Sequence, residues 1–124
     1  MERKQFVEEL SKEKSDTSEW KKIIEATCVK DGQITKGILT AEECAELIKE
    51  VSKMARCKGN KMDLLQELAD VFICGMFQCF FYGFTKEDII KAVSVKLKAC
   101  EEKSDPVYIK KVSENAKAWK GTDL

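Results

Sequence analysis

The sequence predicts an all-α fold, an antiparallel helical bundle built around a central helix hairpin. A single proline, Pro106, and six glycines in 124 residues are too few for the tight turns of an all-β chain. Apolar residues at 44% and charged residues at 35% suit a helix-rich globule rather than a disordered chain. One long segment is apolar nearly all round, as expected of a helix central to a bundle. The length is that of one domain, residues 1–124, too short for two independent cores.

Residues 2–14 read as a first helix with a thin stripe of Phe6, Val7 and Leu10. Ser15 to Trp20 form a polar break with several candidate caps, and a short helix from about 19 to 27 is expected to bury Trp20, Ile23 and Ile24. Residues 30–37 carry two glycines and read as a loop. A long helix follows and ends near Met54 to Cys57, with a turn at Lys58, Gly59 and Asn60. Asn60 is placed to cap the next helix, 61–82, which is amphipathic at first and apolar on every side after Asp70. Thr85 to Asp88 form a capping-box pattern opening a helix to about 103. Ser104 to Pro106 break the chain again, and a last helix is expected over 107–119.

With 22 basic and 22 acidic side chains, the chain lacks the basic excess of a nucleic-acid binder, so no polymer nucleic acid is expected as partner. No membrane partner is expected either. The stretch from Val71 to Phe84 is interrupted by Gly75, Gln78 and Gly83 and reads as a buried helix below spanning length. The start, Met1-Glu-Arg-Lys4, has no apolar segment behind its charges and does not read as a signal peptide. Six cysteines and no histidine contain no Cys-x-x-Cys pair; they read as free thiols of a cytoplasmic protein, several at core spacing.

Two pairs of acids carry the chemistry. Glu43 and Glu46 are three residues apart, as are Glu67 and Asp70, so each pair shares a helix face. At about 100° per residue, Glu67 and Asp70 continue the stripe of Leu64, Cys74, Phe77 and Phe81, while Glu43 lies near Leu47, Glu50, Val51 and Met54. Carboxylates aimed inward are protonated, paired or metal-bound, and Lys49 and Lys53 sit well around from Glu43. Both Glu46/Glu67 and Glu43/Asp70 have their sequence midpoint at 56.5, beside the expected turn. An antiparallel hairpin folding there sets each pair level to within about one helical turn. Oxygen-only donors on rigid helices favour Mg²⁺, or Mn²⁺ as a substitute, over zinc or copper. Two plainer accounts fit the same residues: Thr40 to Glu43 as a capping box, and Glu42, Glu46 and Glu50 as a solvated acidic face.

The text Glu43-Cys-Ala-Glu46, twenty residues, then Glu67-Leu-Ala-Asp70 resembles the E-x-x-E…E-x-x-D signature of MazG-like nucleotide pyrophosphohydrolases. The likeness covers roughly residues 39–98, leaving 1–38 as N-terminal helices and loop and 104–124 as a C-terminal helix. It implies an all-α dimer or tetramer splitting nucleoside triphosphates into monophosphate and pyrophosphate. Glu43, Glu46, Glu67 and Asp70 would then hold Mg²⁺, with Glu46 and Glu67 as catalytic carboxylates. Such an ion bridges phosphate oxygens and lowers the pKa of the attacking water. Ser94-Val-Lys96 stands where the family often has Asn-x-Lys, and Lys98 where an arginine is common. Lys96 and Lys98 are thus implied substrate contacts, against the plainer account of two solvated lysines.

The alternative is a non-catalytic helical interaction module related to that family. A ferritin-like di-iron protein is a poor third reading, because its Glu-x-x-His ligand pattern needs histidines that this chain lacks. Self-association is also expected because residues 73–84 offer more apolar surface than one small bundle covers. Trp20, Gln33 and Phe77 are candidate base contacts.

Overall fold

A computed structural model of the chain describes residues 1–103, 106–107 and 110–111. Five helices follow in order: α1 (Arg3–Lys12), α2 (Trp20–Asp31), α3 (Gln33–Ala55), α4 (Lys61–Tyr82) and α5 (Lys86–Lys103), with no strand among the described residues. The all-α expectation holds. The break expected at 104–105 and most of the helix expected over 107–119 lie outside the described residues. Two compact units divide the chain, one spanning residues 1–84 and a second beginning at Thr85.

In the first unit α4 is the hub: α1, α2 and α3 all pack against it, and α3 makes the most extensive interface. The α3–α4 hairpin turns where the sequence places it. Cys57 adopts a left-handed φ of 57°, and Asn60 Oδ1 accepts from the Met62 backbone N–H at 2.9 Å, capping α4. Gly59 is needed for the close approach: a Cβ there would lie 2.6 Å from Met54 Sδ and 3.0 Å from the Met54 nitrogen.

The expected loop at 30–37 is corrected. Helix α2 runs on to Asp31 and α3 opens at Gln33, so Gly32 alone makes the connection. Its φ of 86° and ψ of 168° are open to glycine and little else. Gly32 N–H donates to Cys28 C=O and Gly32 C=O accepts from Lys36 N–H, so one residue closes a helix and starts the next. Lys36 is not a loop lysine but is 5% exposed. Its Nζ donates to Thr27 Oγ1 at 2.8 Å, pairs with Asp31 Oδ2 at 2.9 Å, and stands 4.3 Å above the Phe77 ring. Those contacts lock α2, α3 and α4 together by charge and cation–π attraction.

The apolar core is small: Cys28, Cys74 and Phe77, with Ile24, Leu39 and Phe81 packed on it. Two of the six free cysteines thus act as the small hydrophobes their spacing suggested. Trp20 and Ile23 were expected inside but are 51% and 59% exposed. The inward face of α2 is the Ile24, Thr27, Cys28 stripe, from which Ile23 is rotated by about 100°. Helix α4 is likewise not buried all round, because its three partners cover one side and leave Phe72, Ile73 and Phe80 exposed. The reading of its length is also corrected: at 22 residues and mean hydropathy 1.4, α4 is long and apolar enough to cross a bilayer by length and composition alone. Glu67 and Asp70 in its middle would be costly there.

The second unit contains α5. Thr85 Oγ1 accepts from Asp88 N–H at 3.1 Å and Asp88 Oδ2 accepts from Thr85 N–H at 2.8 Å. This is the reciprocal capping box read from the sequence.

Candidate metal centre

Glu43 lies in the middle of α3, and Glu67 and Asp70 lie in α4, half-buried where the two helices face each other. One carboxylate oxygen from each falls within 4.8 Å of the other two. Oxygens of a Mg²⁺ octahedron, at about 2.1 Å from the ion, stand roughly 3 to 4 Å apart, so the triad is within reach of a single cation.

The electrostatics state the cost of that convergence. Burial pushes the Glu43 carboxyl above its ordinary range, and the charges of Asp70 and Glu67 and a hydrogen bond with Asp70 push it the same way. Glu67 is raised by burial first, then by the charges of Asp70, Glu46 and Glu50. No lysine or arginine among the described residues forms a salt bridge with any of the three. Glu67 Oε2 is buried with no hydrogen-bond partner. An orphaned anionic oxygen among like charges is what a cation would satisfy, so these donors fit a hard divalent metal.

Glu46 stands apart. It is exposed and does not enter the close triad, although its charge acts on both Glu43 and Glu67. Glu43, open to a capping account in the sequence, is firmly inside. That capping account fails because α3 begins seven residues before Thr40, whose hydroxyl donates to Lys36 C=O at 2.7 Å within the helix. Thr40 Oγ1 also accepts from Gln78 Nε2 at 3.1 Å, a further tie between α3 and α4 one turn from Glu43.

The sequence left Glu50 two placements, beside Glu43 at the border of the apolar face or on a solvated acidic face with Glu42 and Glu46. At 9% exposed it takes the first, and the solvated-face account fails for it. Lys53, read as well around the helix from Glu43, pairs with Glu50 Oε1 at 3.2 Å. The signal was in the spacing: Glu50 follows Glu43 by seven residues, two helical turns, and shares its line on α3. At the same end of the hairpin, Arg3 of α1 grips Asp63 of α4 through Nε at 2.9 Å and Nη2 at 2.7 Å.

The family model for the MazG nucleotide pyrophosphohydrolase domain matches residues 33–103, more than half of the chain. The chain belongs to the MazG nucleotide pyrophosphohydrolase family. The MazG match opens at the first residue of α3 and closes at the last of α5, so it is wider than the 39–98 stretch that carries the signature. Comparison with curated proteins and with solved structures gave no match. MazG domains are typically metal-dependent, and the Glu43, Glu67 and Asp70 triad supplies a matching acidic cluster in this one.

Lys96 and Lys98 lie on α5 and are exposed. Phe77 is enclosed in the core with Lys36 over its ring, while Trp20 and Gln33 are exposed. A shallow depression lined by Lys21, Lys22 and Glu25 on α2 includes none of the carboxylates.

Proposed function

We propose that this MazG protein is a Mg²⁺-dependent nucleoside triphosphate pyrophosphohydrolase, converting an NTP or dNTP and water to the monophosphate and pyrophosphate. The single observation that carries the reading is the convergence of Glu43, Glu67 and Asp70 oxygens within 4.8 Å, with no lysine or arginine among the described residues in a salt bridge to any of them. A triphosphate is strongly anionic, and such a pocket repels it unless a cation stands between them. When bound, Mg²⁺ (or Mn²⁺) supplies that neutralisation and polarises the phosphoryl group under attack.

In this reading Glu43, Glu67 and Asp70 hold the ion on facing helices, and Glu46 at the exposed rim completes the set. Glu67 or Glu46 orients the water as base. Lys96 and Lys98 are proposed phosphate contacts. The exposed aromatic face of α4 around Phe72 and Phe80 supports self-association as a dimer or tetramer. Removal of unwanted nucleotides from the cellular pool is the role such a reaction would serve.

The deciding experiment is pyrophosphate release from a panel of all common NTPs and dNTPs with Mg²⁺. Turnover of at least one member is expected, lost on chelation. Bound metal with no turnover across the panel would instead leave a non-catalytic helical module.

A further inference from the structure

Beside the acids of the metal centre, the first unit carries two cations whose bonding capacity is only partly used. Arg3 of α1 donates from Nε and Nη2 to Asp63 at 2.9 and 2.7 Å, and Lys53 of α3 donates from Nζ to Glu50 Oε1 at 3.2 Å. A guanidinium has five N–H donors and an ammonium three. Neither side chain has another hydrogen-bond partner among the described residues, and they are 54% and 39% exposed. Each acid therefore fixes its cation and leaves donors open to solvent.

Helical register puts both cations beside the triad. Asp63 precedes Glu67 by four residues, so the acid that holds Arg3 shares the Glu67 face of α4, about 6 Å along the axis. Glu50, the anchor of Lys53, is buried on the Glu43 line of α3. The two ion pairs also act on one another. The hydrogen bond from Arg3 does most to lower the Asp63 carboxyl, and the charge of Lys53 adds to it. Asp63 does most to raise Arg3, and the charge of Glu50 adds to that. Helix α1 thus brings a guanidinium to the turn-side end of the acid row, from outside the residues 33–103 that the family model matches.

We propose that Arg3 and Lys53 form a phosphate subsite beside the metal centre, binding the part of the nucleotide's phosphate chain that extends past the ion toward the hairpin turn. The planar guanidinium presents paired donors to phosphate oxygens, and the lysine ammonium adds a point charge. Asp63 and Glu50 hold these cations off the metal ligands: neither Arg3 nor Lys53 forms a salt bridge with Glu43, Glu67 or Asp70. The inference rests on the triphosphate reading above and adds residues of the first unit to the α5 lysines proposed there.

The test is calorimetric titration of the full-length protein with inorganic tripolyphosphate in excess Mg²⁺, which takes base and sugar out of the measurement. Arg3→Met and Lys53→Met are each expected to weaken binding by about tenfold, the scale of one charge-assisted hydrogen bond. Asp63→Asn is the control: it breaks the same clamp but keeps the Arg3 charge, so affinity should hold or rise. Equal losses in Arg3→Met and Asp63→Asn would reduce Arg3 to a structural clamp and overturn the subsite. Wild-type affinity in both Arg3→Met and Lys53→Met would overturn it too. A wild type that turns over nucleotides without binding tripolyphosphate overturns the subsite alone. One that does neither overturns the proposed function as well.

Discussion

Glu43 on α3 and Asp70 on α4 are 27 residues apart in sequence, yet they bring carboxylate oxygens within 4.8 Å of each other. With Glu67 they form a site whose members repel one another. The α3–α4 interface holds them there, anchored at one end by the Gly59 turn and tied along its length by Thr40 and Gln78.

Substitution of the acids tests the ligand set. Asp70→Asn and Glu46→Gln are each expected to lower kcat for pyrophosphate release by on the order of 10²-fold, the scale for losing one charge-stabilising group. Steady-state kinetics at saturating Mg²⁺ checks this. Wild-type turnover in Glu46→Gln would confine the set to the triad.

Divalent metal should stabilise the fold. An ion bound only by the folded chain at about 100 times its Kd adds roughly 2.7 kcal/mol. Thermal melts with Mg²⁺ and with excess chelator are expected to differ by several degrees, and the difference should shrink in Asp70→Asn. Equal melting temperatures in both buffers would count against any ion at the triad.

The Arg3–Asp63 clamp gives a pH dependence with a definite sign. A hydrogen bond from Arg3, reinforced by its charge, holds the Asp63 carboxyl below the ordinary aspartate value of 3.8. The detached state therefore binds more protons, so the clamp's contribution is present above 3.8 and is lost as pH falls through the depressed value. Arg3→Met should move the Asp63 midpoint, read by carboxyl NMR, up toward 3.8. Amides of α1 should then exchange faster at neutral pH. An unmoved midpoint would show that the clamp does not persist in solution.

Lys36→Met should destabilise the protein by about 1–3 kcal/mol, because it removes a buried hydrogen bond, an ion pair and a cation–π contact while keeping volume. Urea unfolding followed by circular dichroism measures it. A shift below about 0.5 kcal/mol would make the α2–α3–α4 lock a minor feature.

Local signals account for what was legible in the chain. Asn60 as a cap, the Thr85–Asp88 box and the 61–82 helix are decided by hydrogen bonds and periodicity within a few residues, and they stand where the sequence puts them. The shared midpoint of the acid pairs located the hairpin for the same reason. The glycines misled: two in eight residues suggested a loop, whereas Gly32 supplies one sharp reversal and Gly37 sits inside α3.

The sequence by itself determined the all-α class, the hairpin, its caps and the acidic face of each helix, because these follow from bonds and phases along one helix. Only the tertiary structure decided that Glu43 joins Glu67 and Asp70 while Glu46 stays exposed, and that Glu50 and Lys36 are buried. Periodicity fixes the angle between two side chains on a helix. It leaves open the rotation at which that helix meets its neighbour, and that rotation is set by packing of Cys28, Cys74 and Phe77 and by the reach of Lys36 across α2 and α4.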